Sequence, residues 1–196
     1  MEKPYTGRAI VTDTFLGVEI LIPAQKNLGV IIFLGVWLCG WAFGEIFAII
    51  TVLGGGTDTD IGVKAFMLVW LFGWTIGGYF AFKMAIWSLI GKEIITVEHG
   101  QLTIDKKGAI FYSPKSYDVS DIKALRVQED VYDSNNRRNT VNGFNNTGTI
   151  RFDYGMKTIK FGSGIDEAEA KAIIEKLVSM NLVNEKNLSK EFVANY

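Results

Sequence analysis

Residues 36–44 read VWLCGWAFG and residues 69–77 read VWLFGWTIG, so one short chain writes VWLxGWxxG twice. Phe47-Ala48 and Phe80-Ala81 extend the match at the same offset. Both copies lie inside the two most apolar parts of the chain, and their reading decides the fold. No charged residue occurs from Leu28 to Gly44, and after Glu45 none until Asp58. A second uncharged run covers Ala65–Phe82, is broken by Lys83, and stays apolar to Ile90. Spanning about 30 Å of hydrocarbon at about 1.5 Å per residue takes about 20 residues. Both runs meet that length and lack a polar face, so they read as transmembrane helices rather than buried core helices. The first run begins after a polar-alternating leader and has no small-residue cleavage pattern, so a signal peptide is not expected.

Working outward, helix one is expected over residues 27–53 and helix two over 62–90. The glycine- and aspartate-rich stretch 54–61 joins them as a loop. Basic residues gather at the other ends of the helices: Arg8, Lys26, Lys83, Lys92, Lys106 and Lys107. The linker carries Asp58 and Asp60. The positive-inside rule then puts both termini in the cytoplasm of a bacterial inner membrane and the linker outside.

Residues 1–26 read as a β-hairpin. Val18, Ile20 and Ile22 alternate with Glu19 and Leu21, Pro23 ends the strand, and Arg8–Thr12 is its expected partner. Beyond Gly91 the period becomes two. Strands are expected over 93–98 and 101–105 around a His99-Gly100 turn, then over 108–113 and 122–128. The asparagine-rich stretch 129–148 reads as a mobile loop, and 149–154 with 157–161 as a hairpin. Asp166 with Glu169 makes a capping box for a helix whose apolar face is Ala170, Ile173, Ile174 and Leu177. Residues 91–181 therefore form a small bent antiparallel sheet closed by a helix, to which the N-terminal hairpin can add strands. Residues 182–196 read as a polar tail.

Two long helices, then GKEIITVEHGQLTIDKK, SYDVSDIKALRV, a hairpin and a final helix make a recognisable order. It resembles bacterial two-helix membrane proteins with a C-terminal pleckstrin-homology-like (PH-like) domain. The photosystem I assembly factor of cyanobacteria and chloroplasts has a similar layout. The resemblance implies a PH-like partial barrel and a non-enzymatic role. It leaves the N-terminal hairpin and the asparagine-rich loop unexplained.

The repeat has a packing explanation. Gly40/Gly44 and Gly73/Gly77 are four apart, the spacing that lets helix backbones approach in lipid. A turn near Asp58-Thr59 sets Gly40 against Gly77 and Gly44 against Gly73. The alternative is that these glycines face a second protein. Trp37, Trp41, Trp70 and Trp74 fall near mid-membrane, where an indole N–H has no water to bond. They read as packing residues beside the glycines, or as a platform for a lipid tail, a quinone-like ligand or another subunit's helix. Glu45 lies deep in helix one, where an ionised carboxylate facing lipid is costly. It is expected near Phe72, Gly73 or Trp74, either protonated, bonded to the Trp41 or Trp74 N–H, or paired with a partner subunit.

Other chemistry has little material. Lone Cys39 and His99 offer neither a disulfide nor a metal set, no cofactor motif is visible, and a net charge of −1 suggests no nucleic-acid partner. No nucleophile–base–orienter set marks an enzyme. The expected function is that of a membrane scaffold, an assembly factor or small accessory subunit, whose partners are the lipid bilayer and other membrane protein subunits. The competing reading is a membrane-anchored module recognising anionic lipid headgroups through Lys92, Lys106, Lys107, Arg137 and Arg138, basic residues being worth about 1 kcal/mol each near a leaflet.

Overall fold

The computed structural model of the chain describes residues 7–54, 60–110, 112–128 and 148–194. The fold is α+β, with two long apolar helices and two antiparallel sheets. It divides into two compact units. One holds residues 25–90 with 108–110, and the other holds residues 1–24, 91–107 and 111–196.

The first unit is an antiparallel helix pair, α1 (Leu28–Gly54) and α2 (Ile61–Ile90). Asn27 starts α1 by accepting from Val30 N through its side chain, and Asp60 starts α2 by accepting from Gly62 N. Such caps satisfy N–H groups that have no partner inside the helix. Both helices are long and apolar enough to cross a membrane, and only 6 % of each most apolar window is buried. Phe33, Val36, Phe43, Phe47, Phe66, Val69, Phe72 and Phe80 all point outward.

The second unit contains a five-stranded sheet, in the order β1 (Ile10–Thr14), β2 (Gly17–Pro23), β3 (Lys92–Glu98), β4 (Gln101–Lys107) and β5 (Lys115–Asp118). A three-stranded sheet follows, β6 (Ile122–Val127), β7 (Ile150–Tyr154) and β8 (Lys157–Phe161). Helix α3 (Glu167–Ser179) begins at the Asp166 cap, whose side chain accepts from Glu169 N. The expected helix face is correct: Ala170, Ile173, Ile174 and Leu177 are all buried. They share one core with Ile20, Ile95 and Leu102 of the first sheet and Phe152 and Phe161 of the second. Tyr117 on β5 meets Phe152 and Tyr154 edge-on at 5.3 and 5.2 Å, which joins the two sheets. The His99-Gly100 turn has φ of 50° and 73°, as a two-residue hairpin with the right twist requires.

The N-terminal hairpin adds its strands to the sheet, as expected: β2 pairs with β3 along its whole length, from Gly17↔Glu98 to Pro23↔Lys92, and Ala24 N donates to Gly91 O. The helix pair is thus looped out between two neighbouring strands. Two other expectations need correction. The strand expected over 108–113 lies instead at 115–118, beyond Pro114, because only there does the chain pair with β4. The tail is not loose. Asn187 is buried and its side-chain amide donates to Val119 O and Ile122 O, while Val183 joins the core and Leu188 bridges Leu125. A short helix α4 (Lys190–Ala194) follows. The loop expected over 129–148 falls almost wholly outside the described residues.

Candidate functional site

The repeat builds the seam of the helix pair, but not with glycine against glycine. Its offset maps Trp41 onto Trp74, and these two bond reciprocally. Trp41 Nε1 donates to Trp74 O at 3.0 Å, and Trp74 Nε1 donates to Trp41 O at 3.4 Å. Each indole N–H thereby finds a carbonyl on the opposite helix. The arrangement has a local two-fold axis through the pair, as two copies of one motif facing each other must.

The close approaches follow from those indoles. A Cβ placed on Gly78 would lie 2.0 Å from Trp41 Cε2, and one on Gly44 would lie 3.7 Å from Trp74 Cζ2. Gly78 is therefore the position that only glycine fills. At Gly40, Gly73 and Gly77 an added Cβ meets nothing within 4 Å. The expected Gly40/Gly77 and Gly44/Gly73 backbone contacts are corrected accordingly: a flat indole occupies the space between the helices and sets their separation. Gly78 escapes a reading based on the repeat because its counterpart, at the same offset, is Glu45 rather than glycine. The Gly77-Gly78 doublet was the available signal.

Trp70 stacks on Trp74 with centroids 4.8 Å apart, and Trp37 lies 6.3 Å from Trp74. Trp37 and Trp70 remain 36 % and 38 % exposed, so the cluster presents indole surface outward. Glu45 is bonded one residue beyond the expected stretch and to neither indole. Thr75 Oγ1 donates to Glu45 Oε1 at 2.6 Å and lies 2.8 Å from its own Leu71 carbonyl. Glu45 Oε2 is enclosed and has no hydrogen-bond partner among the described residues.

The basic residues do not form one surface. Lys106 is buried and paired with buried Glu93, its Nζ 3.7 Å from Oε1. Glu93 Oε2 also accepts from Gly162 N and Ser163 N at 2.9 and 3.1 Å, so this carboxylate ties β3 to the turn before α3. Lys107 is exposed but bonded to Asp105 at 2.9 Å. Lys92 is exposed and pairs with Lys107 in the β3–β4 register. Arg137 and Arg138 lie outside the described residues. Lys106 is thus withdrawn as a headgroup contact. Nearby, Tyr112 has Lys106 and Lys115 at 6.0 and 5.7 Å from its ring. Burial, then the neighbouring Tyr117, Glu93 and Asp105, push its phenol up to about 12.

Among the described residues no cluster of three His, Cys, Asp or Glu side chains is placed to hold a metal ion. No protein-family model, curated protein or solved structure matches the chain.

Proposed function

We propose that this chain is a non-enzymatic integral membrane scaffold, acting as an assembly factor or small accessory subunit of a membrane complex. In this reading α1 and α2 cross the bacterial cytoplasmic membrane as a hairpin, and the β-rich unit is a cytoplasmic PH-like domain that docks a partner. The observation that carries it is the place of the helices in the chain. Pro23 and Lys92 are in register on adjacent strands, so the chain leaves and returns at one point. Helices that cross a bilayer from such a point cross it twice, with the β-rich unit kept on one side. Their outward apolar residues suit lipid or neighbouring helices, and the Trp41–Trp74 clasp gives the hairpin a fixed separation. The headgroup reading is weaker, since Lys106 is buried and Lys107 is held by Asp105.

Reporter fusions after Tyr196 and within 54–57 test the topology. Opposite readings are expected, and equal readings at the two sites would end the hairpin model. Purification in mild detergent with mass spectrometry then tests the scaffold role, for which a reproducible membrane-protein partner is required.

A further inference from the structure

We infer that the edge of β1 that no described strand covers, with the groove beside it, receives an extended polypeptide segment of a partner protein, added as a further strand. The inference deepens the scaffold reading and rests on it for the role of that partner.

β1 is the outer strand of its sheet, and its residues are all exposed. Its hydrogen-bonding direction follows from the turn. Phe15 and Leu16 form a two-residue connection, so Thr14 and Gly17 are the first hydrogen-bonded pair, and the alternation makes Thr12 and Ile10 the next residues facing β2. Ala9, Val11 and Asp13 therefore turn their N–H and C=O groups away from the sheet. One of these donors is answered from within the chain: Ala9 N donates to Glu169 Oε1 of α3, which shows both the direction and where the protected part of the edge ends. The backbone groups of Val11 and Asp13 have no partner among the described residues. An edge of this kind is a template for another strand.

Beside the edge lies a groove of about 510 Å³. The side chains of Ala9, Val11 and Asp13 form one wall, and Ala168, Ala172 and Lys176 of α3 form the other. A strand laid along β1 would continue the sheet across α3, with every second side chain dropping into this groove. The alanines leave room there for small or branched apolar residues. The charge also selects. Asp13 and Glu169 outnumber Lys176, which is already bonded to Asp13 at 3.0 Å. A segment of alternating apolar residues with a lysine or arginine at its end fits both shape and charge.

The probe is a fluorescein-labelled hexapeptide of alternating valine and threonine ending in lysine, titrated into the full chain in detergent micelles. Saturable anisotropy and slowed amide exchange at Val11 and Asp13 are expected. Val11→Pro removes an outward N–H and leaves the β1–β2 ladder intact, since proline is tolerated on the free side of an edge strand. Ala172→Arg fills the groove. Each should weaken binding by about tenfold or more, the worth of one or two lost hydrogen bonds or a blocked site. Thr12→Ala, on the strand's other face, should leave binding unchanged. Binding that survives both Val11→Pro and Ala172→Arg overturns the inference, as does saturation without protection at Val11 and Asp13, or no binding at all. A dimer that forms without peptide and is lost in Val11→Pro also overturns it, because a second copy then covers the edge. Absence of peptide binding from a chain that still co-purifies with a membrane complex removes the groove and spares the scaffold reading. Peptide binding by a chain that finds no such complex supports the groove and removes the scaffold reading.

Discussion

Gly78→Ala is the most informative single change in the helix pair. The added methyl carbon would lie 2.0, 2.2 and 2.4 Å from Trp41 Cε2, Cζ2 and Nε1. Carbon atoms in contact sit about 3.5–4.0 Å apart, so the overlap is well over 1 Å and small adjustments cannot absorb it. Either the helices separate or Trp41 leaves the seam. Overpacking of this kind costs about 1–3 kcal/mol, and an interhelical hydrogen bond such as Trp41 Nε1 to Trp74 O adds roughly 0.6–1.7 kcal/mol within a bilayer. The expected loss is therefore about 2–5 kcal/mol. Gly77→Ala next door meets open space and should stay within about 1 kcal/mol of the parent, helix propensity favouring alanine by about that much. Stability of the helix pair can be followed by steric trapping or by energy transfer between labels on α1 and α2 in nanodiscs. Trp41→Ala supplies the control, for in that background Gly78→Ala should cost much less, a coupling that a double-mutant cycle measures directly. Equal effects at Gly77 and Gly78, or an unchanged cost of Gly78→Ala when Trp41 is absent, would refute the argument that the indole sets the helix separation.

The remaining predictions concern the β-rich unit. Glu93→Gln removes the carboxylate charge that faces buried Lys106 and should destabilise the unit by about 3–5 kcal/mol in thermal or denaturant unfolding. Replacing both, as Glu93→Leu with Lys106→Met, should recover part of this, but not all, because Gly162 N and Ser163 N then lose their acceptor. Leu177→Asp puts a charge into a fully buried position and should cost several kcal/mol; an unchanged melting temperature would mean that α3 is not packed there. Tyr112 holds its proton to about pH 12, whereas an unfolded tyrosine loses it near pH 10. The unfolded state therefore binds fewer protons across that window, so the contribution is complete below about pH 10 and is lost as pH rises towards 12. Tyr112→Phe should flatten this alkaline decline, and a phenolate titration should find one group ionising late.

Local signals in the sequence carried much of the fold. The helices were readable because their runs lack a polar face, the His99-Gly100 turn because two residues separate alternating strands, and α3 because Asp166 and the Ala170–Leu177 face agree. What failed depended on distant partners. Nothing near Ile20 says that it will pair with Ile95, on the far side of both helices. Asn187 looks like a surface residue until the carbonyls of Val119 and Ile122 receive its amide. Lys106 lies just beyond the strand expected over 101–105; carried on to it, the period of two puts it on the buried face with Leu102 and Ile104, where Glu93 across the ladder meets its charge. At the seam, the repeat marks where the helices meet, but spacing alone cannot say whether glycine meets glycine or an indole. The groove beside β1 was not foreseen, because it exists only once β1 and α3 are brought together.

The loop-out between β2 and β3 has a consequence for how the protein is made. A ribosome releases β2 early, yet its ladder partner follows only after residues 24–91 have been synthesised. Closing a flexible loop of that length costs about 4 kcal/mol in chain entropy, a cost that the pairing of α1 with α2 meets by returning the chain to its starting point. Until then β2 waits as one half of an unfinished hairpin, its apolar Val18, Ile20 and Ile22 uncovered. Completion of this ladder thus depends on the helix pair, and a chain in which α1 and α2 have not come together is left with an open sheet edge for chaperones and proteases to find.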